Sequence, residues 1–368
     1  MKCSGKTEVS GTKFVRSLVL VIVLIAAALR VHAPSPASAS DGSITLMTRN
    51  LYIGAAFDPL LNAQTPADIP GAVAQIYATI LTSQYPCRAG AIADEIVQNQ
   101  PALVGLQEAE LIRIYSPCGA SIPNPPKPMA YSMDYVQILI DALENRGAHY
   151  AVAASDTNTD VTVTSATGDT IRLTDRDVIL MRTDLPASEF SVSNPQSGNY
   201  KTSYTVQAGG SGGPSLTVLR GWCSVDAKVQ GTRVHVVNTH LEEAAAIIRS
   251  AQAEELVAGP VKTPYPLIVI GDFNDSPGSD TYTTLIKAGL KDAWALANPS
   301  EPGFSCCQAE DILNPTSQLS MRIDLILFRS ARISVNDVVL VGGNPTDLLP
   351  SGQWPSDHAG VVGTLSIK

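Results

Sequence analysis

Six places in the chain put a carboxylate, amide or imidazole at or beside the end of an apolar run: Asn50, Glu108, Asn238-Thr239-His240, Asp272-Phe273-Asn274, Asp324 and Asp357-His358. A hard divalent cation, Mg²⁺ or Mn²⁺, takes carboxylate and amide oxygens, while phosphate oxygens take donors from imidazole or amide. Collected in one cleft, this set suits metal-assisted attack of water on a phosphoester. A carboxylate at the end of a buried strand, such as Glu108, is held rigidly enough to coordinate metal. Asp272 and Asn274 stand two apart, so in extended backbone both face one side. Asp272 is then placed to orient or deprotonate the attacking water and Asn274 to hold a phosphate oxygen. Asn274-Asp275-Ser276-Pro277 also reads as an Asx turn, and its first three residues are formally a glycosylation sequon.

The runs that must position these residues alternate between two periods. Ser43 to Asn50 alternates polar and apolar residues, as a strand with one buried face does, and Ala102 to Leu106 is a short apolar run that reads as a buried strand delivering Gln107-Glu108. Further strands are expected at His149 to Ala154, Val178 to Met181, Leu216 to Val229, Arg233 to Asn238, Leu267 to Ile270, Asp324 to Phe328, Val335 to Val341 and Gly360 to Ile367. The pair flanking Gly231 reads as a hairpin. Helical stripes run from Ala89 to Gln98, Asp134 to Asn145, Glu243 to Val257 and Asp280 to Ala288. Helices interleaved with strands and hairpins predict layered α/β packing with mixed sheets, in one domain from residue 40 to 368. The stretches 123–128, 155–170 and 194–214, rich in Pro, Thr, Asp, Ser or Gly, read as surface loops.

The segments Thr48-Arg49-Asn50-Leu51, Leu106-Gln107-Glu108, Val237-Asn238-Thr239-His240-Leu241, Ile270-Gly271-Asp272-Phe273-Asn274, Arg322-Ile323-Asp324 and Ser356-Asp357-His358 resemble, in order, the motifs of the endonuclease/exonuclease/phosphatase (DNase I-like) superfamily. The resemblance spans residues 43 to 367. It implies a four-layer α/β sandwich, two packed mixed β-sheets flanked by helices, with the site at one edge. It also implies roles: Glu108 as principal metal ligand with Asn50 beside it, and Asp357 at a metal or orienting the phosphate. Asp324 and His358 resemble an Asp-His pair, His240 the second histidine, donating to phosphate or leaving group, and Asn238 a substrate contact in the same motif. Asp177 stands where members offer a polar residue to the substrate. Glu110 departs from the pattern, since DNase-like members often carry a basic residue there.

With 25 basic and 34 acidic residues the net charge is −9, which argues against a protein that coats nucleic acid or anionic membrane through a broad basic surface. Residues 1–39 read as a signal peptide: Lys2, Lys6, Lys13 and Arg16 precede an apolar run from Leu18 to Leu29, with cleavage candidates at Val31-His32-Ala33 and Ala37-Ser38-Ala39. That run is short of the roughly 20 residues a bilayer span requires. Its removal takes away five basic residues and one acidic residue, leaving a net charge of −13. An exported chain permits disulfides: Cys87 with Cys118 is the expected pair, with a second bridge among Cys223, Cys306 and Cys307.

The expectation is therefore a secreted or periplasmic monomer, without a transmembrane span once the leader is removed. It would hydrolyse a phosphodiester with Mg²⁺ or Mn²⁺. Extracellular nucleic acid stands first as substrate, a sphingomyelinase- or phospholipase C-like head group second and a small phosphate ester third. Aromatic residues make up only 5%, and no aromatic-rich hairpin suits a membrane. The reading of another class is a catalytically silent binding module on the same fold.

Overall fold

The computed structural model describes residues 42–116 and 129–368. The expected signal peptide, Cys118 and Pro123 to Pro128 lie outside the described residues. Among the described residues, no helix is long and apolar enough to cross a membrane. In chain order the elements are β1 (Ser43–Asn50), α1 (Asp58–Leu61), α2 (Ile69–Thr82), α3 (Tyr85–Asn99), β2 (Leu103–Gln107), β3 (Leu111–Tyr115), β4 (Met129–Asp134), α4 (Tyr135–Glu144), β5 (Tyr150–Ser155), β6 (Asp160–Thr164), β7 (Thr170–Thr174) and β8 (Val178–Arg182). There follow β9 (Phe190–Asn199), β10 (Tyr204–Gln207), β11 (Ser215–Val218), β12 (Gly221–Val229), β13 (Thr232–His240), α5 (Ala246–Ala258), β14 (Leu267–Asp272), α6 (Asp280–Lys287), β15 (Lys291–Asp292), α7 (Ala293–Ala297), β16 (Asp324–Arg329), β17 (Ile333–Val341) and β18 (Gly360–Ile367).

Two six-stranded mixed sheets form the centre, ordered β17-β18-β1-β2-β8-β5 and β15-β16-β14-β13-β12-β9. Alternation along each strand sends side chains to opposite layers. Ile44 and Leu46 of β1, Leu103 of β2, Ile179 of β8, Val234 and Val236 of β13, Ile268 and Ile270 of β14, and Ile326 and Phe328 of β16 meet between the sheets. Val104 and Leu106 of β2, with Val178 and Leu180 of β8, face the other way, onto the stripe Ala89, Ile92, Ala93 and Ile96 of α3 and onto Leu139 and Leu143 of α4. Val237, Val269 and Leu327 pack under Ala253 and Leu256 of α5 and Leu285 of α6. The result is the expected four-layer sandwich of helix, sheet, sheet and helix, each buried aliphatic side chain contributing about 1.5–3 kcal/mol.

Local chemistry sets the element ends. The carboxylate of Asp134 accepts from Val136 N at 3.1 Å and starts α4, and the Ser279 hydroxyl accepts from Tyr282 N at 3.1 Å and starts α6. Two expectations need correction. The stretch 155–170 contains β6 and leads into β7, which pair in a separate sheet ordered β4-β3-β7-β6, and 194–214 contains much of β9 and all of β10. These strands are polar and exposed along much of their length, so backbone pairing rather than apolar alternation holds them. The expected strand Leu216 to Val229 is two strands, interrupted at Leu219-Arg220.

The expected second bridge among Cys223, Cys306 and Cys307 joins Cys306 to Cys307 and leaves Cys223 a free, buried thiol; Cys118, the expected partner of Cys87, lies outside the described residues.

Candidate active site

The two-residue period that builds the interlayer core runs on past its end and becomes the site. Ile44, Leu46, Thr48 and Asn50 share one face of β1; Val234, Val236, Asn238 and His240 share one of β13; Ile268, Ile270 and Asp272 one of β14; and Phe328, Ile326 and Asp324 one of β16. Strand register then aligns the polar ends. His240 stands opposite Asp272, and Asp272 opposite Asp324, in a row across three neighbouring strands.

Glu108 breaks this alternation, because Leu106 two residues earlier faces the helical layer. Its backbone adopts a left-handed φ of 51°, a conformation that costs a residue with a side chain on the order of 1 kcal/mol. The turn brings the carboxylate to Asn50 and Asp272. Asn50 Nδ2 donates to Glu108 Oε1 and to Asp272 Oδ2, both at 3.1 Å, and Ile53 N donates to Glu108 Oε2 at 2.6 Å. Asn274, also left-handed at φ 50°, donates its backbone N–H to Asp272 Oδ1 at 2.8 Å and sets its amide 3.0 Å from His240 Nε2. His358 Nδ1 lies 2.8 Å from Asp324 Oδ2, and Ser356, whose hydroxyl donates to Asn50 O at 2.8 Å, ties that segment to β1.

The surroundings push the two histidines in opposite directions. Burial lowers the basicity of His240 and the neighbouring Arg220 lowers it further, well below the usual histidine range. Arg220 Nη1 lies 2.9 Å from His240 Nδ1. A guanidinium can only donate, so Nδ1 accepts and the proton of the neutral ring sits on Nε2; the Asn274 amide nitrogen 3.0 Å away is itself a donor, engaged by Leu241 O at 2.9 Å, and so makes no hydrogen bond to that ring nitrogen. Burial would also lower His358, but Asp324, then Asp357 and Asp272, outweigh it and hold the imidazole well above its usual range. Its Nε2 lies 3.8 Å from Asp272 Oδ2 and 4.0 Å from Asp357 Oδ1. Burial, then Asp324, pushes Asp272 up to about 7, and burial, then Asp357, does the same to Glu108.

Glu108 and Asp357, both half-buried, repel each other across the site, while Asn50 turns its amide nitrogen to Glu108 and its oxygen to Tyr52 N at 2.9 Å. The two carboxylates fit a hard divalent cation, whose charge would offset the repulsion, and Asn50 would join them only by turning its oxygen inward. Asp272, Asp324 and His358 also have ligand atoms within 4.8 Å of one another; the Asp324–His358 hydrogen bond already occupies two of those groups.

Eight of the ten expected site residues, Asn50, Glu108, His240, Asp272, Asn274, Asp324, Asp357 and His358, converge here. Asn238 and Asp177 do not. Asn238 is fully buried between the sheets, its Oδ1 accepting from Gln107 Nε2 at 2.6 Å and its Nδ2 donating to Leu106 O at 2.9 Å and Val178 O at 3.2 Å. Its amide is spent on fastening one sheet to the other, which corrects its expected contact with substrate. Asp177 is also fully buried, its Oδ2 accepting from Asn158 Nδ2 at 3.1 Å, and belongs to a separate group of acids. Arg220 is the residue that sequence reasoning missed. The hairpin at Gly231 sets Gly221 opposite His240, so counting back from the turn would have placed an arginine beside that histidine.

The sequence matches the Endonuclease/Exonuclease/phosphatase family over residues 80–358, and no curated protein matches it. In fold it is similar to the endonuclease/exonuclease/phosphatase from Beutenbergia cavernae DSM 12333, at 19% identity and TM-score 0.52 over 89% of this chain and 72% of that one. It is similar also to D. rerio TDP2 complexed with single strand DNA product, at 16% identity and TM-score 0.52 over 89% of this chain and all of that one. A third is the Bacteroides thetaiotaomicron mannosyl-6-phosphatase, at 17% identity and TM-score 0.51 over 88% of this chain and all of that one. A family match running from α2 to His358 shows that this chain belongs to the endonuclease/exonuclease/phosphatase family.

Proposed function

We propose that the protein is an exported, Mg²⁺- or Mn²⁺-dependent phosphodiesterase that cleaves by direct attack of water. The observation that carries this reading is the convergence, across three neighbouring strand ends, of Asp272 with Asn50, His240, Asn274 and the hydrogen-bonded Asp324–His358 pair. Glu108 and Asn50, with Asp357 across from them, would hold the cation, which supplies Lewis-acid stabilisation of charge on the phosphoryl oxygens. Asp272, poised near pH 7, takes the proton of the attacking water. His240 donates from Nε2 to a phosphoryl or leaving oxygen, and Asn274 holds a second oxygen. His358, kept charged by Asp324, offsets the negative charge that develops. No covalent intermediate is required.

Among phosphodiesters, extracellular nucleic acid stands first, and the likeness to a DNA-bound relative supports it. A small phosphate ester stands second, because Glu110 and Glu242 bring further acids to the elements around the site, where Arg220 is set against His240 and Arg249 is paired with Asp275. The test is nicking of supercoiled plasmid, beside hydrolysis of bis(p-nitrophenyl) phosphate and p-nitrophenyl phosphate, with Mg²⁺, with EDTA and with Glu108→Ala. Nicking that needs both metal and Glu108, with a loss of about 10³-fold or more in the variant, supports the nuclease reading. Ester hydrolysis without nicking moves the substrate to small esters. A folded chain inactive on all three is a binding module.

A further inference from the structure

Arg88 lies in the first turn of α3 and is fully buried. Among the described residues its hydrogen-bond partners are all neutral oxygens. Nε donates to Ser83 O at 3.0 Å, Nη1 to Leu51 O at 2.7 Å and to Pro355 O at 3.0 Å, and Nη2 to Tyr52 O at 2.8 Å and to Ser83 Oγ at 3.4 Å. The five N–H groups of the guanidinium thus meet five acceptors. The rings of Tyr52 and Tyr85 add their faces, with centroids 5.6 and 5.1 Å from Arg88 Cζ. Taking a charge out of water without a carboxylate beside it is costly, so this arginine does something that a neutral side chain could not.

The carbonyls it holds belong to the two loops beside the pocket. Leu51 and Tyr52 stand between Asn50 and Ile53, and Ile53 N donates to Glu108 Oε2 at 2.6 Å. Tyr52 is left-handed at φ 57° and gives its own N–H to Asn50 Oδ1 at 2.9 Å. Pro355 comes just before Ser356, which is bonded to Asn50 O, and two residues before Asp357. Residues 51–53 and 355–357 lie outside every strand and helix, so no continuous ladder of backbone bonds fixes them. One side chain from α3 fastens the loop that grips Glu108 to the loop that carries Asp357.

We propose that Arg88 is the positioning residue of the cation site: by fastening both loops to α3 it fixes how Glu108 and Asp357 approach each other, and so sets the affinity for the divalent ion. This role rests on the metal-dependent reading proposed above. The planar fork is what the task requires. Lysine would keep the charge, but its three donors sit on one atom and cannot reach Ser83, Leu51 with Tyr52, and Pro355 together. Groups that orient metal ligands from behind influence affinity without touching the ion.

The test is calorimetry with MnCl₂ on EDTA-treated chains: the unaltered protein, Glu108→Ala, Arg88→Lys and Arg329→Lys. Arg329 is the control for loss of a structural arginine, since it donates to Ala288 O at 3.2 Å and Val261 O at 2.7 Å at the end of β16 away from Asp324. Glu108→Ala should abolish binding, and Arg88→Lys should weaken it by about tenfold or more. Arg329→Lys should lower Tm and leave the Mn²⁺ Kd unchanged. An unaltered protein that takes up no Mn²⁺, or takes it up equally with Glu108→Ala, overturns the metal-dependent reading and this role with it. Binding through Glu108 that Arg88→Lys weakens no more than Arg329→Lys does overturns the role of Arg88 alone. If Arg88→Lys does not fold, hydrogen exchange of the unaltered protein decides. Mn²⁺ should slow exchange at residues 51–53, 356–358 and 84–88 with one midpoint, and protection of the two loops without the start of α3 would overturn the proposal.

Discussion

Asp324 acts on the reaction through the charge it maintains on His358. Replacing it by asparagine keeps the shape and removes the carboxylate that opposes the effect of burial, so the imidazolium must lose its proton at lower pH. Activity should follow a bell-shaped pH profile. The acid limb reflects Asp272 and Glu108, both pushed up to about 7 in the cation-free chain, and moves to lower pH when cation binds. The alkaline limb reflects loss of the His358 proton. In Asp324→Asn the alkaline limb should move toward acid by at least about one unit, equivalent to ~1.4 kcal/mol, while the acid limb persists. A kcat profile whose alkaline limb stays in place would remove His358 from the charge-stabilising role. Both residues of this dyad, and the His240 segment, are visible in the sequence because they stand in short ordered motifs. Arg220 has no such motif and becomes visible only through the register of its hairpin.

The elements that bring these residues together depend on close approach of the two sheets. Gly105 sits in mid-strand where a Cβ would come 2.5 Å from Asn238 Oδ1 and 2.7 Å from Ile270 Cδ1. Gly105→Ala should therefore cost about 2 kcal/mol through overpacking, read as a lower urea midpoint. It should also reduce activity, since β2 and β13 carry Glu108 and His240; unchanged stability would show that the sheets can separate freely at this point. Long apolar strands such as β1, β14, β16 and β18 are readable from alternation because one or both faces are buried. The exposed strands β6, β9 and β10 are not, because their polar residues look like loop composition and their pairing is made by backbone groups common to every sequence.

At the scale of the molecule, buried acids dominate the electrostatics. Glu108, Asp156 and Asp272 are each pushed up to about 7, burial being the largest cause. Their folded values exceed their unfolded ones, so the folded chain binds more protons and stability falls as pH rises from about 4 through 7. In EDTA the urea midpoint should be higher at pH 5 than at pH 8, and divalent cations should narrow the difference by restoring stability at pH 8. A midpoint that rises with pH in EDTA would contradict this account of the acidic interior. The sequence by itself determined the family, the layered α/β architecture and eight pocket residues, because alternation and short motifs are local properties that survive without coordinates. Only the tertiary structure decided that Asn238 fastens the sheets, that Asp177 joins Asp156 and Asp175, and that Arg220 sets the histidine tautomer. Each of those roles depends on which strand lies opposite, and residues far apart in the chain acquire their charge and their partners only when packing excludes water between them.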